Sequence, residues 1–156
     1  MFSPIQFVFI AAIVLYLLDS IWEVGSIFNP NRFSKKLADY FIIAGLSIHC
    51  AFLIIVSVQS GTLPISTLFE SSTFYLSLIV LLSVILKFLY RLQSLTPFVM
   101  PIVTGFSIAA VTLVKNDLAL TANLKTFWLF AHIIPIFLGY ASFTVSFIFS
   151  IMYLTM

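Results

Sequence analysis

The chain has few charged residues. Asp, Glu, Lys and Arg make up 8% of its 156 residues, whereas they make up about a quarter of a soluble domain. Hydrophobic residues account for 62%, and the mean hydropathy is +1.21. So little polar surface cannot cover a water-soluble globule. The composition therefore excludes a soluble enzyme, a nucleic-acid-binding protein and a disordered tail, and it indicates a protein whose solvent is the lipid bilayer.

The sequence also lacks the motifs on which most catalytic and metal sites depend. The single cysteine, Cys50, excludes an internal disulfide and a Cys-x-x-Cys pair. There is no glycine-rich phosphate loop, no His-Glu-x-x-His and no Gly-x-Ser-x-Gly motif. Hydrolysis and phosphoryl transfer thus have no candidate residues, and we expect an accessory or binding role rather than that of a classical enzyme.

Long apolar stretches predict an all-α, polytopic membrane protein. We predict a single bundle over residues 1–156 with five transmembrane helices, at about 5–22, 38–58, 68–90, 98–114 and 126–154. Thr67-x-x-Glu70 predicts a capping box at the start of the third span. The last stretch runs to Met156 without the charged residues that normally anchor the end of a span. We therefore expect the amino-terminal part of a longer architecture.

The distribution of basic residues predicts the orientation of the bundle. If loops alternate between the two sides, one side carries Arg32, Lys35, Lys36, Lys87 and Arg91, and the other carries Lys115 and Lys125. By the positive-inside rule, this asymmetry places the amino terminus outside.

Two acidic residues, Asp19 and Glu23, lie one helical turn apart near the end of the first span. We expect them to face basic residues of the following loop, which are Arg32, Lys35 and Lys36. Such exposed pairs contribute about 0–1 kcal/mol, so we expect a modest interfacial pairing rather than a proton path.

Two histidines lie inside predicted spans, where an ionisable side chain indicates a function because hydrocarbon disfavours unpaired polar groups. His132 lies about 9 Å below the outer end of the last span. Pro135, just after it, interrupts a backbone hydrogen bond and makes room for a ligand. The spacing leaves two alternatives open for His132: an iron or other metal ligand, or a neutral imidazole bonded to a carbonyl of a neighbouring helix.

His49 lies near the middle of the bilayer on the second span. Ala44 and Gly45 nearby indicate a close helix contact across which the imidazole could form a hydrogen bond. His49 and His132 differ in depth by only a few ångströms on this reckoning. A haem held by both imidazoles between the second and last spans is therefore geometrically allowed.

Below His132, a stripe of small residues predicts close contact between the last span and another helix. Its members are Gly139, Ser142, Ser146 and Ser150. Tyr140 adds a hydroxyl on the side of the histidine.

Three stretches resemble a known family. The segment from Trp128 to Phe143 resembles the Trp-x-x-x-His helix, ending in Gly-Tyr-Ala-x-Phe, of the cytochrome c assembly family that includes CcsA, ResC and the HemX-like inner-membrane proteins. The segment from Gly61 to Ser71 resembles the external loop of that family, and Leu46-Ser47-Ile48-His49 resembles its histidine-bearing second span. The resemblance covers nearly the whole chain and corresponds to the amino-terminal half of the family.

The resemblance implies an integral protein of the bacterial inner membrane that binds haem at the outer face for attachment to apocytochrome c. It implies that His132 is an axial ligand of the haem iron, and we expect His49, Tyr140 and Trp128 to be further cofactor-binding residues. The implied partners are the lipid bilayer, haem, and other cytochrome c assembly subunits or a carboxyl-terminal half.

Two alternatives come from other classes of protein. One is a small proton-coupled transporter in which His49 and His132 relay protons. The other is a structural membrane subunit in which both histidines tie helices together.

Overall fold

The structure is a computed structural model that describes residues 4–29, 33–113 and 127–155. The described residues form the helices α1 (Pro4–Phe28), α2 (Lys35–Ser60), α3 (Leu68–Leu89), α4 (Thr96–Leu113) and α5 (Phe127–Thr155), and no strand. All five helices are long and apolar enough to cross a membrane. The predicted all-α class with five spanning helices is therefore confirmed. Arg32, Lys115 and Lys125 lie outside the described residues.

Local capping explains where α2 ends and α3 begins. The hydroxyl of Thr67 accepts a hydrogen bond from the backbone N–H of Glu70 at 3.1 Å, and the Glu70 carboxylate accepts one from the N–H of Ser66 at 2.8 Å. The predicted capping box is confirmed, although the carboxylate reaches the residue before the cap. α2 ends at Gly61, whose φ of 64° lies in the left-handed region that glycine adopts freely.

The two ends of the bundle differ in charge. A hydrogen bond of 3.2 Å from Lys35 to the side chain of Gln93 joins the start of α2 to the α3–α4 connection at one end. We call this the basic end, because Lys87 and Arg91 lie there too, and we call the opposite end, where α3 begins, the Glu70 end. The predicted placement of Lys35, Lys36, Lys87 and Arg91 on one side agrees with this arrangement, whereas the orientation of the amino terminus stays a prediction.

The helices are packed unequally. α1 packs against α2 and α4, and α3 packs against α2, α4 and α5. The shared core includes Phe9, Tyr16, Ile42, Phe52, Leu76, Val80, Met100 and Val103. α5 packs mainly on α3, with a smaller contact to α4, and it buries a smaller share of its residues than any other described helix. α5 is therefore the peripheral helix of the bundle.

Gly45 allows α1 and α2 to approach closely, because a Cβ at this position would lie 2.7 Å from the Tyr16 ring. Gly45→Ala is expected to lower the apparent Tm by about 2–10 °C, since overpacking costs about 1–3 kcal/mol. Gly105→Ala in α4 is the matched control, because its Cβ would meet nothing within 4 Å. Both substitutions bring the same gain in helix propensity. Equal Tm values for the two variants in detergent would contradict the close contact.

Candidate functional site

His132 lies at the Glu70 end of the bundle, near the level at which α3 starts. Tyr75 of α3 contacts both Phe137 and Thr144 of α5. Tyr75 therefore lies at the same height along the bundle as about residue 140 of α5. α3 begins seven residues before Tyr75, which places His132 at about the level where α3 starts. The described part of α5 begins at Phe127, five residues or about 8 Å before His132.

The side chain of His132 projects away from the rest of the bundle. At about 100° per residue, His132 shares a helix face with Gly139 and Phe143, whereas Thr144 and Ile148 face α3 and α4. The imidazole is exposed, and no hydrogen bond joins it to another residue within the described ranges. The described residues therefore do not support the alternative in which His132 is hydrogen-bonded to a carbonyl of a neighbouring helix.

The other predicted site residues of α5 are exposed as well. Trp128 lies one turn before His132, and Tyr140 lies two turns after it. Tyr140 lines an open cavity of about 460 Å³ between α3 and α5, together with Phe137 and Phe143. Tyr140, rather than His132, borders the cavity.

The stripe of small residues on α5 does not make the predicted helix contact with any described helix. A Cβ on Gly139 would meet nothing within 4 Å. Ser142 and Ser150 are exposed, and each donates to the carbonyl four residues earlier in its own helix. The prediction was wrong here because α5 packs through a different face, which includes the buried residues Ala141 and Val145.

His49 lies fully buried in the contact between α1 and α2. Its Nδ1 shares a hydrogen bond of 3.1 Å with the Tyr16 hydroxyl. Its Nε2 faces the backbone of Thr73 without a hydrogen bond of ordinary geometry. The rings of Phe9 and Phe52 pack against the imidazole at centroid distances of 5.0 Å and 6.4 Å. His49 thus ties α1 to α2, as the close helix contact predicted from the sequence indicates.

The structure does not bring His49 and His132 together. His49 is enclosed by side chains of α1 and α2 and faces α3, whereas α5 packs on the far side of α3 and α4. The haem held by both imidazoles that the sequence allowed does not fit this arrangement. Counting residues along a span gives the depth of a side chain but not the direction in which it points.

A buried polar cluster at the basic end was missed by the sequence analysis. Lys87 Nζ lies 2.6 Å from Glu23 Oε1 and 2.7 Å from Asp39 Oδ1. The Thr96 hydroxyl donates to the same Glu23 oxygen at 2.7 Å. Glu23 and Lys87 are buried, whereas Asp39 is 31% exposed. With Asp19, one turn before Glu23, these residues form what we call the carboxylate cluster.

The predicted pairing of Asp19 and Glu23 with the following loop was wrong. Glu23 pairs with Lys87 of α3, 64 positions along the chain. Lys35 bonds to the α3–α4 connection instead, and Lys36 is exposed. The signal that could have found this pair is Lys87 itself, because a basic residue before the end of an apolar span needs an acidic partner at the same depth.

Fold and composition together define a polytopic helical membrane protein, and two known proteins are similar to it over most of its length. It is 26% identical over 155 residues to Protein HemX of Brevibacillus brevis, a match that covers 97% of this chain and 56% of the relative. It is 27% identical over 146 residues to Protein HemX of Bacillus subtilis (strain 168), which covers 91% of this chain and 52% of the relative.

The chain thus spans about half the length of the curated relatives it matches. No family model matches the chain, and no solved structure does. The names of the two bacterial relatives agree with the HemX-like branch of the predicted resemblance, and neither relative is named CcsA or ResC.

Proposed function

We propose that the chain is a membrane component of haem handling that binds haem at the Glu70 end, with the His132 imidazole as an axial ligand of the iron. The observation that carries the proposal is the exposed imidazole of His132, with which no residue in the described ranges forms a hydrogen bond. The similarity to proteins named HemX, which covers nearly the whole chain, supports it.

The exposed imidazole of His132 is accessible to a ligand. A neutral imidazole is a common axial ligand of haem iron. Tyr140 and Phe143 lie eight and eleven residues further along α5, about 12 Å and 16 Å away, so they do not flank a haem bound by this ring. Since His49 is enclosed elsewhere, the opposite side of the haem requires a further protein surface, which another subunit or the additional length of the relatives would supply.

We further propose that the haem is handled for attachment to apocytochrome c in the bacterial inner membrane, as the resemblance to cytochrome c assembly proteins implies. In that process, bound haem supplies the iron and the reactive vinyl groups. His132 would hold the haem at the Glu70 end, and we assign the formation of the thioether bonds to another protein.

A haem titration of the purified protein in detergent tests the proposal. His132→Ala is expected to weaken the Soret band, with an affinity at least about tenfold lower, since losing even an outer hydrogen-bond partner of a metal ligand costs about 10–100-fold. Ser146→Ala, on the same exposed side of α5, is the matched control. A His132→Ala titration that matches the wild type would overturn the assignment.

The two alternatives find support at other residues. The helix-tying role expected of a structural subunit is supported for His49 by its bond to Tyr16. The carboxylate cluster supports the proton-coupled alternative better than a relay between His49 and His132 does. These two rings lie apart in the structure. Transport that depends on a pH gradient, without porphyrin absorbance, would favour that alternative over haem handling.

A further inference from the structure

Asp19 is a buried acid that the haem proposal does not use. Its side chain is 0% exposed, and neither carboxylate oxygen has a hydrogen-bond partner in the described part of the chain. A carboxylate anion in this position is unfavourable, because hydrocarbon does not solvate it and no donor compensates it. A bound cation or proton would remove that penalty.

The charges around Asp19 are unbalanced. The titratable groups that face it are Glu23 and Tyr16 on α1, Asp39 and the more distant His49 on α2, and Lys87 on α3. α4 carries no titratable side chain, and the hydroxyl of its Thr96 is already bonded to Glu23. Among the described residues, three carboxylates against one ammonium group leave two negative charges uncompensated if all are ionised.

The chemistry of the cluster favours a proton over a metal ion. No group of three His, Cys, Asp or Glu side chains in the described ranges is arranged to hold a metal. The ammonium of Lys87 already occupies the space between Glu23 and Asp39. A proton needs only one free oxygen, and Asp19 provides two.

The basic end provides access to Asp19. Asp39 is partly exposed there and contacts Lys87, which contacts Glu23, one turn from Asp19. Towards the Glu70 end, three phenylalanine rings close the interior. Phe9, Phe52 and Phe69 pack against one another at centroid distances of 5.2 Å, 5.6 Å and 5.9 Å. They lie beyond the Tyr16–His49 pair as seen from Asp19.

We propose that Asp19 is a proton-binding residue that exchanges its proton with the basic end of the bundle. The proton enters from water beside Asp39 and forms an O–H bond with one carboxylate oxygen of Asp19. The same bond breaks when the proton returns, no electron is transferred, and the pairing of Glu23 with Lys87 persists. This property does not depend on haem.

Infrared difference spectroscopy of the purified protein tests whether Asp19 carries the proton. The wild type is expected to show a carboxylic acid carbonyl band that titrates with pH and shifts in D₂O. Asp19→Asn is expected to lose this band, and Glu70→Gln, which removes a carboxyl group at the other end, is expected to keep it. Absence of the band from the wild type at every pH, or its persistence in Asp19→Asn, would overturn the proposal.

Thermal unfolding separates a proton site from a structural ion pair. Asn has the shape of the neutral acid, so Asp19→Asn is expected to keep the wild-type Tm within a few degrees. Glu23→Gln weakens the pairing of Lys87, and we expect its Tm to fall by about 10 °C. If Asp19→Asn falls as far as Glu23→Gln, Asp19 is a charged structural partner of Lys87 and the proposal is wrong.

Sidedness is tested in vesicles that contain the protein in one orientation. A change of pH on the basic side is expected to change the carbonyl band, and the same change on the Glu70 side is expected to leave it unaltered. A response to pH on the Glu70 side would overturn the assigned route.

Discussion

The Lys87→Met variant is expected to unfold at an apparent Tm about 10–20 °C below that of the wild type. Lys87 is the ammonium group that contacts Glu23 and Asp39 in the buried cluster. Its removal leaves the Glu23 carboxylate buried without a charge partner, and breaking a buried pair in this way costs about 3–5 kcal/mol. Asp39 contributes less to the loss because it is partly exposed. Thermal unfolding in detergent, followed by tryptophan fluorescence, measures the effect.

Two further variants control this experiment. Lys35→Met removes an exposed lysine that bonds to Gln93 at the same end, and a change of less than about 1 kcal/mol is expected. In the double variant Lys87→Met/Glu23→Gln, no unpaired charge is left at position 23, so part of the lost stability should return. If Lys87→Met were as stable as Lys35→Met, the buried pair would not hold the helices together.

His49→Ala is the second substitution with a large expected effect. It removes a fully buried ring that packs against Phe9 and Phe52, and it leaves the Tyr16 hydroxyl without its partner. A cavity from a comparable truncation costs about 2–5 kcal/mol, and an unsatisfied buried group adds about 1–3 kcal/mol. We therefore expect the apparent Tm to fall by at least about 10 °C.

Cys50→Ala is the matched control for His49→Ala, because the neighbouring side chain is exposed and should tolerate truncation. The folded fraction of His49→Ala is also expected to titrate with haem as the wild type does, unlike His132→Ala. A stable His49→Ala protein would contradict the role of this ring in joining α1 to α2. If His49→Ala is stable but no longer binds haem, the haem ligand would be His49 in the interior and not His132.

The sequence was sufficient to predict the spanning helices, because their length and apolar content are local properties. It also predicted the cap at Thr67 and Glu70, since the interacting groups lie within one turn. The end of α1 was misplaced near residue 22, although the helix continues to Phe28. The charged residue Glu23 was interpreted as the start of a polar loop. Its partner on α3 allows it to lie inside the bundle instead.

The site was harder to predict than the fold. The partner of Glu23 is 64 positions away, and no local pattern encodes a contact at that distance. Counting residues along a span predicts a depth for His49, but depth does not show that its partner is the Tyr16 hydroxyl. The direction of His132 depends on which face of α5 packs against α3, and the small-residue stripe indicated the wrong face.

The described part of α5 is longer than a bilayer core is thick. Its 29 residues correspond to about 43 Å of helix, whereas the hydrocarbon core is about 30 Å thick. The peripheral helix must tilt or protrude, and a thicker bilayer draws more of its length into the lipid. Lipid composition would therefore change how far the His132 imidazole lies from the headgroups, and hence how accessible the proposed haem site is from water.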